Sequence, residues 1–147
     1  MRELTFFEEI LWLMEMVKQK LGIWDGYRSK DETGYCEKVS GCCFFISREF
    51  LLKNDYLDET VFMYCEEPIL AKSVINQKFK ELYIKEVTAN HEHYNYTKPG
   101  NSASKMQIFL KSRLYYIQKY SGYSSFQKKM AMASRRLQYK LWEKKIK

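Results

Sequence analysis

Apolar residues near the start of the chain recur at the spacing of a helix. They occupy positions 6, 7, 10, 11, 13, 14 and 17, and this periodicity is typical of an amphipathic helix. Thr5, with Glu8 three positions later, matches a capping box, and Gly22 stands where a left-handed residue ends many helices. The pattern predicts a helix over residues 4–21. The following residues 24–38 are rich in Gly, Asp, Ser and Lys and predict a loop.

A nearly continuous apolar run follows this loop. Residues 39–47 read Val-Ser-Gly-Cys-Cys-Phe-Phe-Ile-Ser, and their length and aromatic content predict a strand buried on both faces. Ser47 is a suitable N-cap for a short helix over residues 48–53. A further helix is predicted over residues 66–79, with Glu66 and Glu67 in the first turn, where the helix dipole favours negative charge.

The remainder of the chain predicts one more strand and two basic helices. Residues 82–89 have the composition of a strand, and residues 90–104 that of a loop. Residues 105–120 and 125–145 form amphipathic helical patterns separated at Ser121 and Gly122. The predicted order is helix, strand, helix, helix, strand, helix, helix. Two strands in 147 residues indicate an α/β chain with few strands and no closed sheet.

Charge divides the chain into two parts. Residues 98–147 contain 13 Lys and Arg against one acid, a net charge of +12, whereas residues 1–97 carry −5. A basic tail predicts an anionic partner. Lysines and arginines of the tail alternate with apolar residues in a pattern typical of a membrane interface; these are Phe109, Leu110, Leu114, Tyr115, Ile117, Leu137, Leu141 and Trp142. A solvated helical face explains the same pattern, and nucleic acid is the least favoured partner.

Cysteine usage and hydropathy bear on the compartment. The four cysteines include no C-x-x-C pair, and we expect reduced thiols that pack as small apolar residues in a cytoplasmic protein. No run approaches the roughly 20 apolar residues that span a bilayer. We therefore expect a cytoplasmic location, with the basic tail at the inner face of the membrane.

Three ordered motifs resemble those of family 2 glycosyltransferases, in particular rhamnosyl- and galactofuranosyltransferase-like members. Residues 39–48, ending in Ile-Ser-Arg, resemble the family's V-S-G-A-x-x-L-I-R-R strand. Residues 56–70, Tyr-Leu-Asp-Glu-Thr-Val-Phe-Met-Tyr-Cys-Glu-Glu-Pro-Ile-Leu, resemble its x-L-D-E-x-F-F-x-Y-x-E-D-x-D-L pattern. Residues 87–91 fit a strand that ends in histidine, and residues 111–116 are similar to the helix after the catalytic domain.

The resemblance implies a site for transfer of a sugar with inversion. Glu67 corresponds to the family's catalytic base, although Glu replaces the commoner Asp, and Glu66 would orient neighbours or bind the acceptor. Acids at a helix start have a second explanation in the helix dipole. By the same resemblance His91 would lie near the metal and the diphosphate. The adjacent H-x-H pair with His93 is also typical of hydrogen-bonded surface histidines.

Three further residues are candidates for binding the substrate. Gly41 would allow close approach of the backbone to a sugar, and its alternative role is a strand kink or bulge. Trp24 and Tyr64 could stack on a sugar ring, with a core position as the alternative for Tyr64. Asp58 and Glu59 match the family's D-E turn, which shapes a loop.

The resemblance covers only the second half of the family's domain. The first half carries the nucleotide-binding strands and a D-x-D motif, and no Asp-x-Asp occurs in this sequence. We therefore expect an incomplete GT-A-like, Rossmann-like half-domain over residues 1–97, followed by C-terminal helices over residues 98–147. The expected partners are a nucleotide-sugar, a saccharide or lipid-linked acceptor and an N-terminal half encoded upstream. The complete enzyme would require Mg²⁺ or Mn²⁺, and this chain alone would be inactive and bind metal weakly. The alternative is a non-enzymatic module that binds anionic membrane or nucleic acid through the tail.

Overall fold

The computed structural model describes residues 5–11, 21–22, 32–91 and 102–146. Within these ranges the chain forms five helices and one two-stranded antiparallel sheet, so the fold is mixed α/β. The elements are α1 (Phe6–Ile10), β1 (Gly34–Cys36), α2 (Arg48–Lys53), α3 (Glu66–Asn76), β2 (Glu81–Tyr83), α4 (Ser102–Lys119) and α5 (Ser125–Ile146). Their order is the predicted one, but the first strand lies elsewhere. Among these helices none is long and apolar enough to cross a membrane.

Local capping signals in the sequence predicted several helix ends correctly. Thr5 and Glu8 form the capping box, in which the Glu8 carboxylate accepts from the Thr5 N–H at 2.8 Å. Ser47 caps α2 by accepting from the Phe50 N–H at 3.2 Å. Gly122 lies between α4 and α5 with a positive φ of +67°. Gly22 also has a positive φ, +66°, but the helix that it was predicted to end is not among the described elements. The predicted helix over residues 4–21 ends earlier than expected, because α1 stops at Ile10 and Leu11 has a non-helical backbone with φ −93° and ψ 43°. Residues 12–20 lie outside the described part of the chain.

The predicted strand over residues 39–47 is wrong. This segment forms a turn at residues 41–43 and then irregular backbone, and most of its side chains are exposed; Phe45 is 92% exposed. A continuous apolar run forms a buried strand only where neighbouring strands pair with it. No backbone-to-backbone hydrogen bond joins residues 40–46 to any described residue, so no such neighbour is present in the described ranges.

The sheet that does form is short. In it β1 pairs antiparallel with β2, with Gly34 opposite Tyr83 and Cys36 opposite Glu81. β1 lies within the predicted loop, and β2 covers only the start of the predicted strand over residues 82–89 because the chain turns at Lys85 and Glu86. The predicted helix over residues 66–79 ends at Asn76.

The main core joins the two parts of the chain that differ in charge. Cys65 and Ile69 from the first part pack with residues of α4 and α5, namely Tyr116, Ile117 and Ala131. Partly buried aromatic residues surround this cluster, including Phe6 of α1 and Tyr123 after α4. The tail helices are therefore part of the folded core and bury their own apolar faces against residues 1–97.

A buried ion cluster fixes α1 against the tail. Glu9 is fully buried, and its carboxylate accepts from the guanidinium groups of Arg113 on α4 and Arg135 on α5. The Arg135 Nε to Glu9 Oε2 distance is 2.5 Å. Each arginine side chain is less than a tenth exposed. Charge buried to this extent is stable only when it is paired, so the cluster specifies how these three helices pack.

Candidate functional site

The structure brings two of the predicted site residues, Gly41 and Glu67, into direct contact. The Gly41 N–H donates to Glu67 Oε1 at 3.2 Å across 26 positions of sequence. A Cβ atom at position 41 would lie 3.1 Å from the same oxygen, closer than side chains ordinarily pack. The glycine therefore has a specific role: it lets the backbone of the 39–47 segment approach this carboxylate.

This carboxylate lies at the start of α3. Glu67 is half-buried in the first helical turn, between exposed Glu66 and buried Pro68. Its second oxygen, Oε2, accepts no hydrogen bond from the described residues. A carboxylate held through one oxygen and open at the other can accept a proton from a bound hydroxyl group.

The backbone before α3 adopts an unusual conformation. Tyr64 and Cys65 both have a left-handed φ, 68° and 66°. Such conformations in residues other than glycine cost about 1–3 kcal/mol and recur at functional sites as well as in turns. Asp55, Tyr56 and Lys78 also have positive φ, but they follow helices, whereas the Tyr64–Cys65 pair directly precedes the two glutamates.

The structure describes one of the two residues that were predicted to stack on a sugar ring. Tyr64 is half-buried and packs edge-to-face against Phe109 of α4, with ring centroids 5.5 Å apart. It is therefore engaged in helix packing, as its alternative role predicted. Trp24 lies outside the described residues, as does His93.

A groove of about 620 Å³ runs beside the Gly41–Glu67 contact. Ser40, which precedes Gly41, and Leu70, one helical turn after Glu67, both line it, and so does Ala89, two positions before His91. His91 itself is exposed. Residues of all three predicted motifs thus border one groove, although Gly41, Glu67 and His91 are not among its lining residues. Residues 87–91 form irregular backbone, so the predicted strand that ends in His91 is wrong.

The groove is mostly apolar. Phe44, Phe45 and Ile46 of the misassigned strand form one side, and Val74 and Phe79 contribute to the other. Three charged residues, Lys38, Lys80 and Glu81, also line it, and the Glu81 side chain is largely buried. Burial raises the pKa of Glu81, and the hydrogen bond that its carboxylate accepts from the Val39 N–H at 2.6 Å partly offsets this rise.

The described residues do not by themselves fit a divalent metal. Across residues 5–11, 21–22, 32–91 and 102–146, no three His, Cys, Asp or Glu side chains come together in a way that could hold an ion. Mg²⁺ and Mn²⁺ prefer several oxygen ligands. His91, the residue that the resemblance assigns to the metal, would therefore need carboxylates from elsewhere.

Asp58 is the centre of a hydrogen-bonded cluster that the sequence did not predict. The Asp58 carboxylate accepts from Tyr115 Oη at 2.6 Å, Tyr120 Oη at 2.5 Å and Lys119 Nζ at 2.9 Å. Burial raises the pKa of Asp58, but the hydrogen bonds from Thr60, the two tyrosines and the lysine outweigh it and hold the pKa well below its usual range. Asp58 therefore anchors the loop after α2 to α4. The motif match indicated a loop-shaping residue, but the partners lie more than 50 positions away in sequence.

The cysteines differ from one another in environment. All four lie in the described ranges and form no disulfide; Cys65 is buried, Cys36 is half-buried, and Cys42 and Cys43 are exposed. Burial, together with the charges of Glu66 and Glu67, raises the pKa of Cys65 to about 12. The expectation of small apolar packing residues is confirmed for Cys65 and wrong for Cys42 and Cys43.

Known proteins offer no further assignment of these residues. No family model, curated protein or solved structure matches the chain. The geometry that remains is specific: a glycine N–H on a carboxylate at a helix start, beside an apolar groove that approaches His91.

Proposed function

We propose that this chain is the acceptor-side part of an inverting family 2 glycosyltransferase, in which Glu67 is the catalytic base. The observation that carries the proposal is the hydrogen bond from the Gly41 N–H to Glu67 Oε1. This hydrogen bond joins two motifs that the resemblance assigns to one cleft, through residues that are 26 positions apart in sequence. The left-handed residues before Glu66 and Glu67 further support a specialised site.

Each atom of the contact has a part in the proposed reaction. The Gly41 N–H holds Oε1, which leaves Oε2 to take the proton of an acceptor hydroxyl group. The acceptor oxygen then bonds to the anomeric carbon of the donor. The bond from that carbon to the diphosphate breaks, and the nucleoside diphosphate leaves with the electron pair. Glu66, which is exposed beside the base, would orient the acceptor.

The apolar groove favours a lipid-linked acceptor over a free saccharide. Most of its lining, including Phe44, Phe45 and Val74, can bury hydrocarbon, and the polar residues Lys38, Lys80 and Glu81 form a smaller part of it. A lipid-linked acceptor would also place a cytoplasmic enzyme of polysaccharide assembly at the inner face of the membrane. The finer assignment of the fold, a GT-A-like half-domain, belongs to the same proposal.

The donor side would come from elsewhere. The described residues hold no metal cluster, and we propose that the nucleotide-sugar and its Mg²⁺ or Mn²⁺ are bound by an N-terminal half encoded upstream. Removing such electrostatic stabilisation from a reaction that expels a diphosphate costs several orders of magnitude in rate. The isolated chain is accordingly expected to transfer no sugar.

The test is a transfer assay with and without the upstream polypeptide. The chain is co-purified with the polypeptide encoded before it and given labelled UDP- and dTDP-sugars with a lipid extract as acceptor. We expect transfer only from the pair, and Glu67→Gln should reduce it by about 10²–10⁴-fold. Glu49→Gln is the matched control because Glu49, like Glu67, is an acid in the first turn of a helix, and this variant should leave the rate unchanged. No transfer by the pair, or full activity of Glu67→Gln, would refute the proposal.

A further inference from the structure

The last helix, α5, carries an exposed apolar stripe along its outer face. Phe126, Met130, Leu137 and Leu141 are spaced by four, seven and four positions, so they lie above one another on a helix of 3.6 residues per turn. All four are exposed, Phe126 by 71% and Leu137 by 54%. Large apolar residues aligned in this way are more than the scattered exposed residues that most surfaces contain.

Packing against the core fixes the direction of this stripe. The opposite face of α5 is buried through Ala131, which is fully buried, and Arg135, which binds Glu9 of α1. Ser134 lies on the side of the stripe, in the gap between Met130 and Leu137, and its Oγ donates to the Ile10 carbonyl oxygen at 2.9 Å, so α1 borders the stripe there. Leu137 follows Arg135 by two positions, about 200° around the helix, and therefore points away from the core. The stripe cannot turn inward without breaking these contacts.

A stripe of cations runs beside the apolar one. Lys129, Arg136 and Lys140 are exposed, and each directly precedes an apolar member of the stripe. One residue is about 100° around a helix, so the cations form a parallel row on the adjacent face. Lys144 extends the row by one more turn and is also exposed. The outer face of α5 thus combines an apolar row and a cationic row of similar length.

We infer that this face of α5 binds the surface of an anionic lipid bilayer. A helix that lies in the interface buries its apolar residues among the acyl chains, while adjacent Lys and Arg contact anionic headgroups. Charge complementarity favours an anionic membrane, and the exposed apolar row distinguishes this surface from one built for nucleic acid, where phosphate contacts dominate. The inference stands independently of the proposed transferase activity.

The structure also corrects which tail residues would contact lipid. Among the apolar tail residues that predicted a membrane interface, Ile117 is buried in the core and Tyr115 donates a hydrogen bond to Asp58. Leu137 and Leu141 remain exposed, and Phe126 and Met130 join them. The contact surface is therefore one face of α5, with α4 contributing to the core beneath it.

Vesicle flotation of the full chain tests the inference. Phosphatidylcholine vesicles with and without about 30 mol% phosphatidylserine are mixed with wild-type protein and with the double variant Phe126→Gln/Leu137→Gln. We expect the wild type to float with the anionic vesicles, and the double variant to bind them at least tenfold more weakly. Ile75→Gln is the matched control, because Ile75 is 61% exposed on α3, away from the stripe, and this variant should bind as the wild type does.

A second pair of variants tests the cationic row. Lys129→Gln/Lys140→Gln should weaken binding to anionic vesicles about tenfold, whereas Lys105→Gln/Lys111→Gln, which removes two exposed lysines of α4, should weaken it less than threefold. Circular dichroism confirms that each variant is folded. The inference is overturned by absence of binding to anionic vesicles or by equal binding of wild type and stripe variant. It is also overturned if the chain retains duplex DNA but no vesicles.

Discussion

The buried Glu9 cluster makes the clearest prediction about stability. Glu9→Gln keeps the size of the side chain but removes the negative charge that both Arg113 and Arg135 contact. Glu9 is fully buried and the arginines nearly so, so water cannot replace the missing charge. Removing one member of a buried ion cluster costs about 3–5 kcal/mol, because the remaining charges stay desolvated.

The size of this loss is large for a chain of this length. A single domain is stable by about 5–15 kcal/mol, so Glu9→Gln would remove between a fifth and all of the free energy of unfolding. The folding equilibrium would fall by about 10²- to 10⁴-fold, since each 1.4 kcal/mol is a factor of ten. The melting temperature should fall by roughly 10–20 °C. Urea unfolding followed by circular dichroism measures both the midpoint and the slope.

Two controls separate the loss of charge pairing from general disturbance. Glu49→Gln removes an exposed carboxylate at a helix start and should change the stability by less than about 0.5 kcal/mol. The triple variant Glu9→Met/Arg113→Met/Arg135→Met removes every charge together and should recover most of the loss, because no buried charge remains. A loss below about 1 kcal/mol in Glu9→Gln would contradict the burial of this carboxylate.

Three further predictions concern Asp58, Gly41 and the cysteines. Hydrogen bonds hold the pKa of Asp58 low in the folded chain. The contribution of this carboxylate to folding stability is therefore complete above its unfolded pKa near 3.9, and it is lost as the pH falls from there towards the lowered folded pKa. Asp58→Asn should therefore lower the stability by about 2–3 kcal/mol at pH 7 and by about 1 kcal/mol less near pH 3, where the unfolded chain is protonated but the folded carboxylate is still ionised; urea titrations at the two pH values measure this. Gly41→Ala should displace the Glu67 carboxylate by a few tenths of an ångström and reduce the stability by less than about 1 kcal/mol; a loss above 2 kcal/mol would show that Glu67 cannot move aside. Iodoacetamide should label Cys42 in the native chain and Cys65 only after unfolding, because Cys65 is buried with a pKa raised to about 12; mass mapping that finds equal labelling would refute this.

The candidate site could be predicted in part from sequence order. The motif match named Gly41 and Glu67, but no local pattern indicates that the N–H of one bonds the carboxylate of the other across 26 positions. The same holds for Asp58, whose partners Tyr115 and Tyr120 are more than 50 positions away. Contacts of this kind depend on how the helices pack, which residue spacing does not encode.

Local interactions explain what the sequence determined by itself. The capping residues Thr5 and Ser47 act on amides three positions away, so the start of each helix follows from a few neighbouring residues. Whether an apolar run is buried depends instead on what packs against it. Residues 39–47 have the composition of a central strand but lie exposed, because no described strand pairs with them. Only the tertiary structure decided this, and only it decided which face of α5, through Ala131 and Arg135, would be buried.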